Sequence, residues 1–243
     1  MRGRNLCVVA VVLCLVGSLQ AGVVFNDGFE LGSMGNWTTI SGATPLDISN
    51  AQNRIPIAGT YSAYMNISTD GMYHNISELS GASTATFWLY DGAQTRAYGE
   101  VRAYPGEGYG LGGNIVQLFA VGKYTNMDSA KYQARVLAGT GTIGWFNLSD
   151  GPSRSSGWHQ FIIERLGDDT TINFYVDGMM AKTITGTTAA SWDSVVITSA
   201  RAGTTAGDAY FDGIEITDGL IPEPGTLSVL ALGALGLLAR RRA

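Results

Sequence analysis

The sequence predicts an all-β domain of two packed antiparallel sheets, and three observations carry that prediction. Short runs rich in Thr, Val, Ile, Tyr, Phe and Trp recur between residues 22 and 221. Gly, Asp, Asn or Ser interrupts them about every 8 to 12 residues, the spacing of strands joined by tight turns. Glycine makes up 33 of the 243 residues, near twice the usual share of about 7%, and without a collagen-like period that excess belongs in turns. No amphipathic helical period of useful length appears between the two ends of the chain.

Residues 1–21 read as a helical signal peptide. Arg2 and Arg4 form a positive start, Leu6 to Val16 an apolar stretch, and Gly17 to Ala21 a polar end with a small residue for cleavage. Both cysteines, Cys7 and Cys14, lie inside it. Residues 22–219 therefore have neither disulfides nor thiolate ligands and must bury a real core. About 200 residues suffice for one β domain, and no Pro- or Ser-rich linker divides them.

Along that domain the strand candidates are Tyr61 to Ile67, Ala85 to Tyr90, Tyr98 to Tyr104, Ile115 to Tyr124, Tyr132 to Leu137, Thr142 to Leu148, Trp158 to Leu166, Ser194 to Thr198 and Ala209 to Thr217. The clearest pair is Thr171 to Val176 followed by Met179 to Thr185. Ile172, Phe174 and Val176 alternate with Thr171, Asn173 and Tyr175, so one face turns to a core. Asp177-Gly178 supplies the positive φ angles of a two-residue hairpin turn. So many strands exceed one sheet and imply two.

Past Leu220 the character changes. Pro222-Glu223-Pro224 punctuates the chain, because each proline removes a donor and restricts the residue ahead of it. Gly225 to Ala239 carries no charge and spreads leucines all round a helix, leaving no polar face for water. This single apolar helix is shorter than the roughly 20 residues of a full span, and the stems of Arg240, Arg241 and Arg242 extend its reach. The arginines place their side in the cytoplasm. Residues 220–243 thus form a membrane-directed tail.

Removing the five arginines and one glutamate of the two ends from the 15 basic and 20 acidic side chains leaves ten and 19, a net charge of about −9. Such a surface repels nucleic acid and acidic lipid, so no nucleic-acid partner is expected. Four Asn-x-Ser/Thr sites, at Asn36, Asn66, Asn75 and Asn147, read as chance in a surface rich in Asn, Ser and Thr.

The order of Pro-Glu-Pro, apolar helix and arginine cluster resembles the PEP-CTERM sorting signal of exopolysaccharide-producing Gram-negative bacteria. That resemblance implies export with signal peptidase and exosortase as processing partners. It also implies inner-membrane anchoring in transit, then a place at the cell surface or in the extracellular matrix. Pro222, Glu223 and Pro224 would be the recognition element, and Arg240, Arg241 and Arg242 the stop. Gly157-Trp158-His159 leading to Val176-Asp177-Gly178, with Thr84 to Asp91 and Ala209 to Ile216, resembles the concanavalin A-like and laminin-G-like jelly rolls. Asp27-Gly28-Phe29-Glu30 with Asn36-Trp37 is similar to the opening strand of exported bacterial members.

A glycoside hydrolase on this scaffold needs two carboxylates flanking the scissile bond. Glucanases of the superfamily carry a Glu-x-Asp-x-Glu-like strand, and nothing here matches it. Glu164 stands alone in its strand, and the count of three from Asp212 to Glu215 places them on opposite faces. His74 and His159 lack the i, i+4 partner of zinc motifs. Gly108 to Gly113 formally satisfies G-x-G-x-x-G, but the strand pattern after it is not the helix that phosphate binding needs.

Two non-catalytic constellations remain. Resemblance to jelly-roll modules implies a structural calcium ion between first and last strands, at Asp27, Glu30 and Asp212 with Asp208; turn and edge carboxylates are the plainer reading. Tyr104, Tyr109, Tyr124 and Trp145, in or beside glycine-rich loops, are candidate sugar-stacking rings; ordinary packing is the alternative. The expectation is a non-catalytic exported protein associated with extracellular polysaccharide. A glycoside hydrolase and a purely structural surface protein are the competing readings.

Overall fold

The structure is a computed structural model and describes residues 21–54, 59–66, 69–92, 96–104, 108–111, 114–124, 127–139, 143–199 and 209–220. The expected signal helix, the helix 225–239, Pro222 to Pro224, Arg240 to Arg242 and Asp208 lie outside those residues. Among the described residues no helix is long and apolar enough to cross a membrane.

Two antiparallel sheets make up the unit Val23–Leu220. One sheet holds β1 (Val23–Asp27), β3 (Asp47–Ser49), β4 (Ser62–Met65), β6 (Ser83–Asp91), β11 (Gly157–Arg165), β12 (Ile172–Val176), β13 (Met179–Ile184) and β15 (Ala209–Thr217). Its order is β13-β12-β11-β6-β15-β4-β3, with β1 on the second half of β15. The other holds β2 (Thr38–Thr39), β5 (Gly71–Leu79), β7 (Arg96–Ala103), β8 (Gln117–Tyr124), β9 (Gln133–Ala138), β10 (Gly144–Asn147) and β14 (Trp192–Thr198). Its order, β10-β9-β8-β7-β14-β5-β2, interleaves distant parts of the chain, as a jelly roll does.

Period-two alternation supplies the core. Ala85, Phe87 and Leu89 of β6 and Phe161 and Ile163 of β11 point inward against Phe119 and Val121 of β8, Val101 of β7 and Val195 and Ile197 of β14, all essentially buried. Each such aromatic or branched side chain contributes about 1.5–3 kcal/mol. Gly99 of β7 sets the sheet separation locally, since a Cβ there would lie 2.2 Å from the Phe87 ring. The hairpin between β12 and β13 turns as expected, with φ of 50° at Asp177 and 76° at Gly178. Ile172, Phe174 and Val176 are fully buried.

Two strand-level expectations differ from the structure. β5, like the short β2 and β3 unmarked by the sequence pattern, pairs with β14 on one side and the edge strand β2 on the other. In β15 a bulge at Asp212-Gly213 opposes Asp212 to Trp88 and Glu215 to Thr86. Trp88 and Thr86 are two apart on β6, so Asp212 and Glu215 share the outer face instead of lying on opposite ones. The extra residue is Gly213, at φ 50°, the backbone setting that a bulge of this kind takes.

Candidate functional site

β7 runs through the centre of the seven-stranded sheet, and its inward row (Ala97, Gly99, Val101, Ala103) leaves Arg96, Tyr98, Glu100 and Arg102 on the outer face. Successive members of that row are about 7 Å apart. A sandwich requires apolar side chains only between its sheets, yet a second apolar cluster sits on this outer face. Tyr98, Leu118 and Ala120 are buried there, with Ile115, Tyr124, Leu137 and Trp145 half-buried around them.

All four ring residues singled out in the sequence lie along this face, in two groups. Tyr124 ends β8 and stacks on Trp145 of β10 with centroids 4.3 Å apart and planes 6° from parallel. The Arg96 guanidinium lies 4.4 Å from the Tyr124 ring centre, and Tyr98 meets Trp145 edge-on at 4.9 Å. Gly122, beside Tyr98 in register, leaves no room for a side chain beneath these rings: a Cβ would come within 2.5 Å of the Ala97 carbonyl oxygen. Tyr104 and Tyr109 form the second group with Tyr73 of β5, Tyr109 lying 4.5 Å from Tyr73 and 5.4 Å from Tyr104. Asn75 fixes Tyr109 through both of its backbone groups, accepting from the N–H at 2.8 Å and donating to the carbonyl at 3.2 Å.

Between the groups stands Glu100, 1% exposed. It accepts from Arg102 Nε at 2.6 Å, and Arg102 in turn donates to the Tyr104 hydroxyl at 3.1 Å and lies over Tyr109. Burial pushes the Tyr98 and Tyr104 hydroxyls above the usual phenol range, Glu100 adding to the effect and Arg102 opposing it. Both hydroxyls therefore stay protonated donors at any physiological pH. The rings pack on one another, with Tyr104 buried and Tyr109, Tyr124 and Trp145 half-buried.

The carboxylates considered for calcium are engaged by protein donors. Asp27 accepts from the Phe29 N–H at 2.7 Å and the Trp37 indole at 3.0 Å, anchoring the segment after β1. Glu30 takes the N–H groups of Thr60 and Tyr61. Asp212 accepts from Gly213 N–H at 2.6 Å and pairs with Arg54 at 3.3 Å. Burial pushes the Asp212 carboxyl up to about 6 while Arg54 opposes the shift. Among the described residues no three His, Cys, Asp or Glu side chains gather as a cation would require.

Sequence reasoning missed two further arrangements. His159 sits with Nδ1 2.7 Å from Asp177 Oδ2 and Nε2 3.2 Å from Ser155 Oγ. That order imitates a hydrolytic Ser-His-Asp relay, but the Ser155 carbonyl oxygen lies 2.9 Å from the same Nε2 and claims its proton. A general base needs the lone pair there, so this imidazole ties β11 to the β12–β13 turn and to the segment before it. On the eight-stranded sheet, Tyr64, Tyr210, Tyr90 and Trp158 stand in one cross-strand row, with neighbouring centroids 4.9, 5.9 and 5.6 Å apart. Its sequence signal was an aromatic at the same register of four strands, visible only once the strands are paired.

These features define an all-β jelly-roll sandwich. Three solved structures are similar to it. The carbohydrate esterase of a Shiga toxin-encoding bacteriophage, phi24B, is similar at TM-score 0.56 and 12% identity, over 82% of this chain and 100% of that one. Domain 4 of an extracellular arabinanase from Geobacillus stearothermophilus, solved with arabinotriose, gives 0.51 and 13% over 85% and 97%. The Bacillus licheniformis β-glucanase gives 0.52 and 14% over 82% and 99%. At such identities the likeness is one of fold. No curated protein matches the chain by sequence. Residues 220–242 match the PEP-CTERM protein-sorting motif, and the chain is thus a carrier of that motif. The motif implies export with membrane anchoring in transit and processing by an exosortase.

Proposed function

We propose that the protein, once exported and cut near Pro222-Glu223-Pro224, is a non-catalytic component of the extracellular matrix that holds polysaccharide on the outer face of its seven-stranded sheet. The observation that carries the reading is the aromatic and apolar cluster on the side of that sheet away from the core, where half-buried Tyr124 and Trp145 lie over buried Tyr98, Leu118 and Ala120. Tyr and Trp combine a flat apolar body with a polar tip, the surface that a sugar ring and its hydroxyls can use together. Fold likeness to an arabinanase domain solved with arabinotriose and to a β-glucanase makes a saccharide the ligand class to test first.

A glycoside hydrolase on this face fits less well. The β7 row offers one carboxylate, Glu100, already held by Arg102, where hydrolysis uses two about 5–9.5 Å apart. The test is retention of the full chain, in mild detergent, on exopolysaccharide from the producing cells. Trp145→Ala and Tyr109→Ala together are expected to abolish retention while the protein still melts cooperatively. Retention unchanged by both substitutions would reject the face as the binding surface, and reducing-sugar release by the wild type would reject the non-catalytic reading.

A further inference from the structure

At the end of the sandwich where β6 finishes and β7 begins, the inward rows of both sheets close on ionic side chains. Asp91 ends the row of β6 and Lys123 that of β8, only 2% and 6% exposed. Arg154, from the segment before β11, pairs with both oxygens of Asp91 and donates to the Ser129 carbonyl. Beside this plug lies a cleft of about 180 Å³ lined by Lys123, Tyr124, Asp128, Ser129, Lys131, Gln133 and Arg154. Drug-sized pockets run to roughly 300–1,000 Å³, so the space suits a single group.

The cleft gathers more cations than carboxylates. Three cations meet there, Lys123, Lys131 and Arg154, against the Asp128 carboxylate and the Asp91 carboxylate behind Arg154, on a domain whose net charge is about −9. The other groups are already oriented. Lys131 Nζ donates to the Gly151 carbonyl at 2.9 Å, Asp128 accepts from the Ala130 N–H, and Gln133 accepts from the Tyr124 N–H at 2.7 Å. Tyr124 is shared: it lines the cleft and carries the stack with Trp145. A polymer lying across Trp145 therefore has a cationic recess at its flank.

We propose that this recess receives the carboxylate of an acidic sugar residue, so that the polysaccharide held on the neighbouring rings is a uronate-bearing one. The inference rests on the polysaccharide reading above and narrows its ligand class. Two lysine ammonium groups supply the charge, and the Ser129 and Gln133 side chains are the neutral polar groups beside it. Burial, with Arg154 adding to it and Asp91 opposing, pushes the Lys123 ammonium down to about 8. Lys123 is thus a cation at neutral pH and loses its charge as the pH rises past 8, and carboxylate binding should weaken over that interval. Facing it are Asp91 from β6, Arg154 from the segment before β11, and Asp128 and Lys131 from the segment between β8 and β9.

Affinity electrophoresis of the full chain in mild detergent, through gels containing polygalacturonate or neutral dextran, tests this. Polygalacturonate should retard the protein more strongly than dextran. Lys123→Gln and Lys131→Gln should each weaken that retardation about tenfold, the worth of one charge-assisted hydrogen bond, and leave dextran unaffected. Raising the pH from 7 to 9.5 should act like Lys123→Gln on the wild type and do little to that variant. Lys131 is half-buried on a loop, so its variant reads the site even if Lys123→Gln misfolds. Unchanged polygalacturonate retardation in both lysine variants, with ring substitutions still abolishing it, would overturn the acidic-sugar inference and leave the ring face standing. Wild type ignoring both polymers would overturn the two together.

Discussion

The two ends of the sandwich each bury a cation, and they do so in opposite ways. At the end formed by Ser83 and the close of β11, Arg165 is fully buried and lies 4.6 Å from the Trp192 ring centre. Its guanidinium donates to the carbonyls of Gly81, Leu79 and Ala190 and to the Ser83 hydroxyl. At the far end Lys123 shares its surroundings with Arg154, Asp91 and a cleft. Burial lowers both pKa values, Arg165 to about 10 and Lys123 to about 8. A planar fork can satisfy several fixed carbonyls at once and so close an end for good. Lys123, a point charge, instead lines a cleft of about 180 Å³. The contrast is between a cation enclosed by backbone carbonyls and a cation that lines a cleft, and the acidic-sugar proposal concerns only the second.

The largest effect expected from breaking this contrast is at the closed end. Arg165→Ala leaves three strand-end carbonyls and a hydroxyl without their donor, a loss of about 3–5 kcal/mol readable by urea denaturation. Arg165→Lys should recover little of it. Next comes the narrow point between the sheets: Gly99→Ala pushes a methyl into the Phe87 ring and is expected to cost about 1–3 kcal/mol, with a lowered denaturation midpoint and an unchanged slope. A Gly99→Ala protein as stable as wild type would mean that the sheets separate there without penalty.

Smaller effects concern pH. Between 8 and 10.5 the unfolded chain keeps the Lys123 proton that the folded one has released, so this group makes stability rise with pH across that window. Lys123→Met should flatten the rise. Asp212 acts the other way: its folded carboxyl titrates near 6 against 3.8 in the unfolded chain, so its contribution to stability falls as pH climbs from about 4 to 6. Asp212→Asn should remove that fall, seen as melting temperatures that no longer drop between pH 4 and 6. An unchanged drop in the variant would mean that a group other than Asp212 produces it.

How much of this was legible beforehand depended on whether the signal was local. The β12–β13 hairpin was, because alternation and an Asp-Gly turn lie within one short stretch. β5 was not: Met72 and Ile76 join the apolar packing, but between them His74 stacks on Phe25 at 4.1 Å and contacts the Asn36 carbonyl at 2.6 Å. A polar side chain in that row hides the period. The shared face of Asp212 and Glu215 was misjudged because counting along a strand assumes that no residue bulges out. Tyr104, Tyr109, Tyr124 and Trp145 could be picked by type and neighbourhood, whereas their partners Arg96, Tyr98 and Tyr73 came from strand interiors. The cleft had no sequence signature, since Lys123, Lys131 and Arg154 meet only when the ends of β6, β8 and β9 come together.

Both ends of the sandwich matter only if the domain works outside the cell without its two terminal segments. The intact mass of the protein isolated from its native cells and their matrix tests this most directly. The account predicts a chain that begins near Gly22 and ends near Pro222-Glu223-Pro224, lacking the apolar helix and Arg240 to Arg242. A protein that retains all residues from Met1 to Ala243 and stays inside the cell would contradict it.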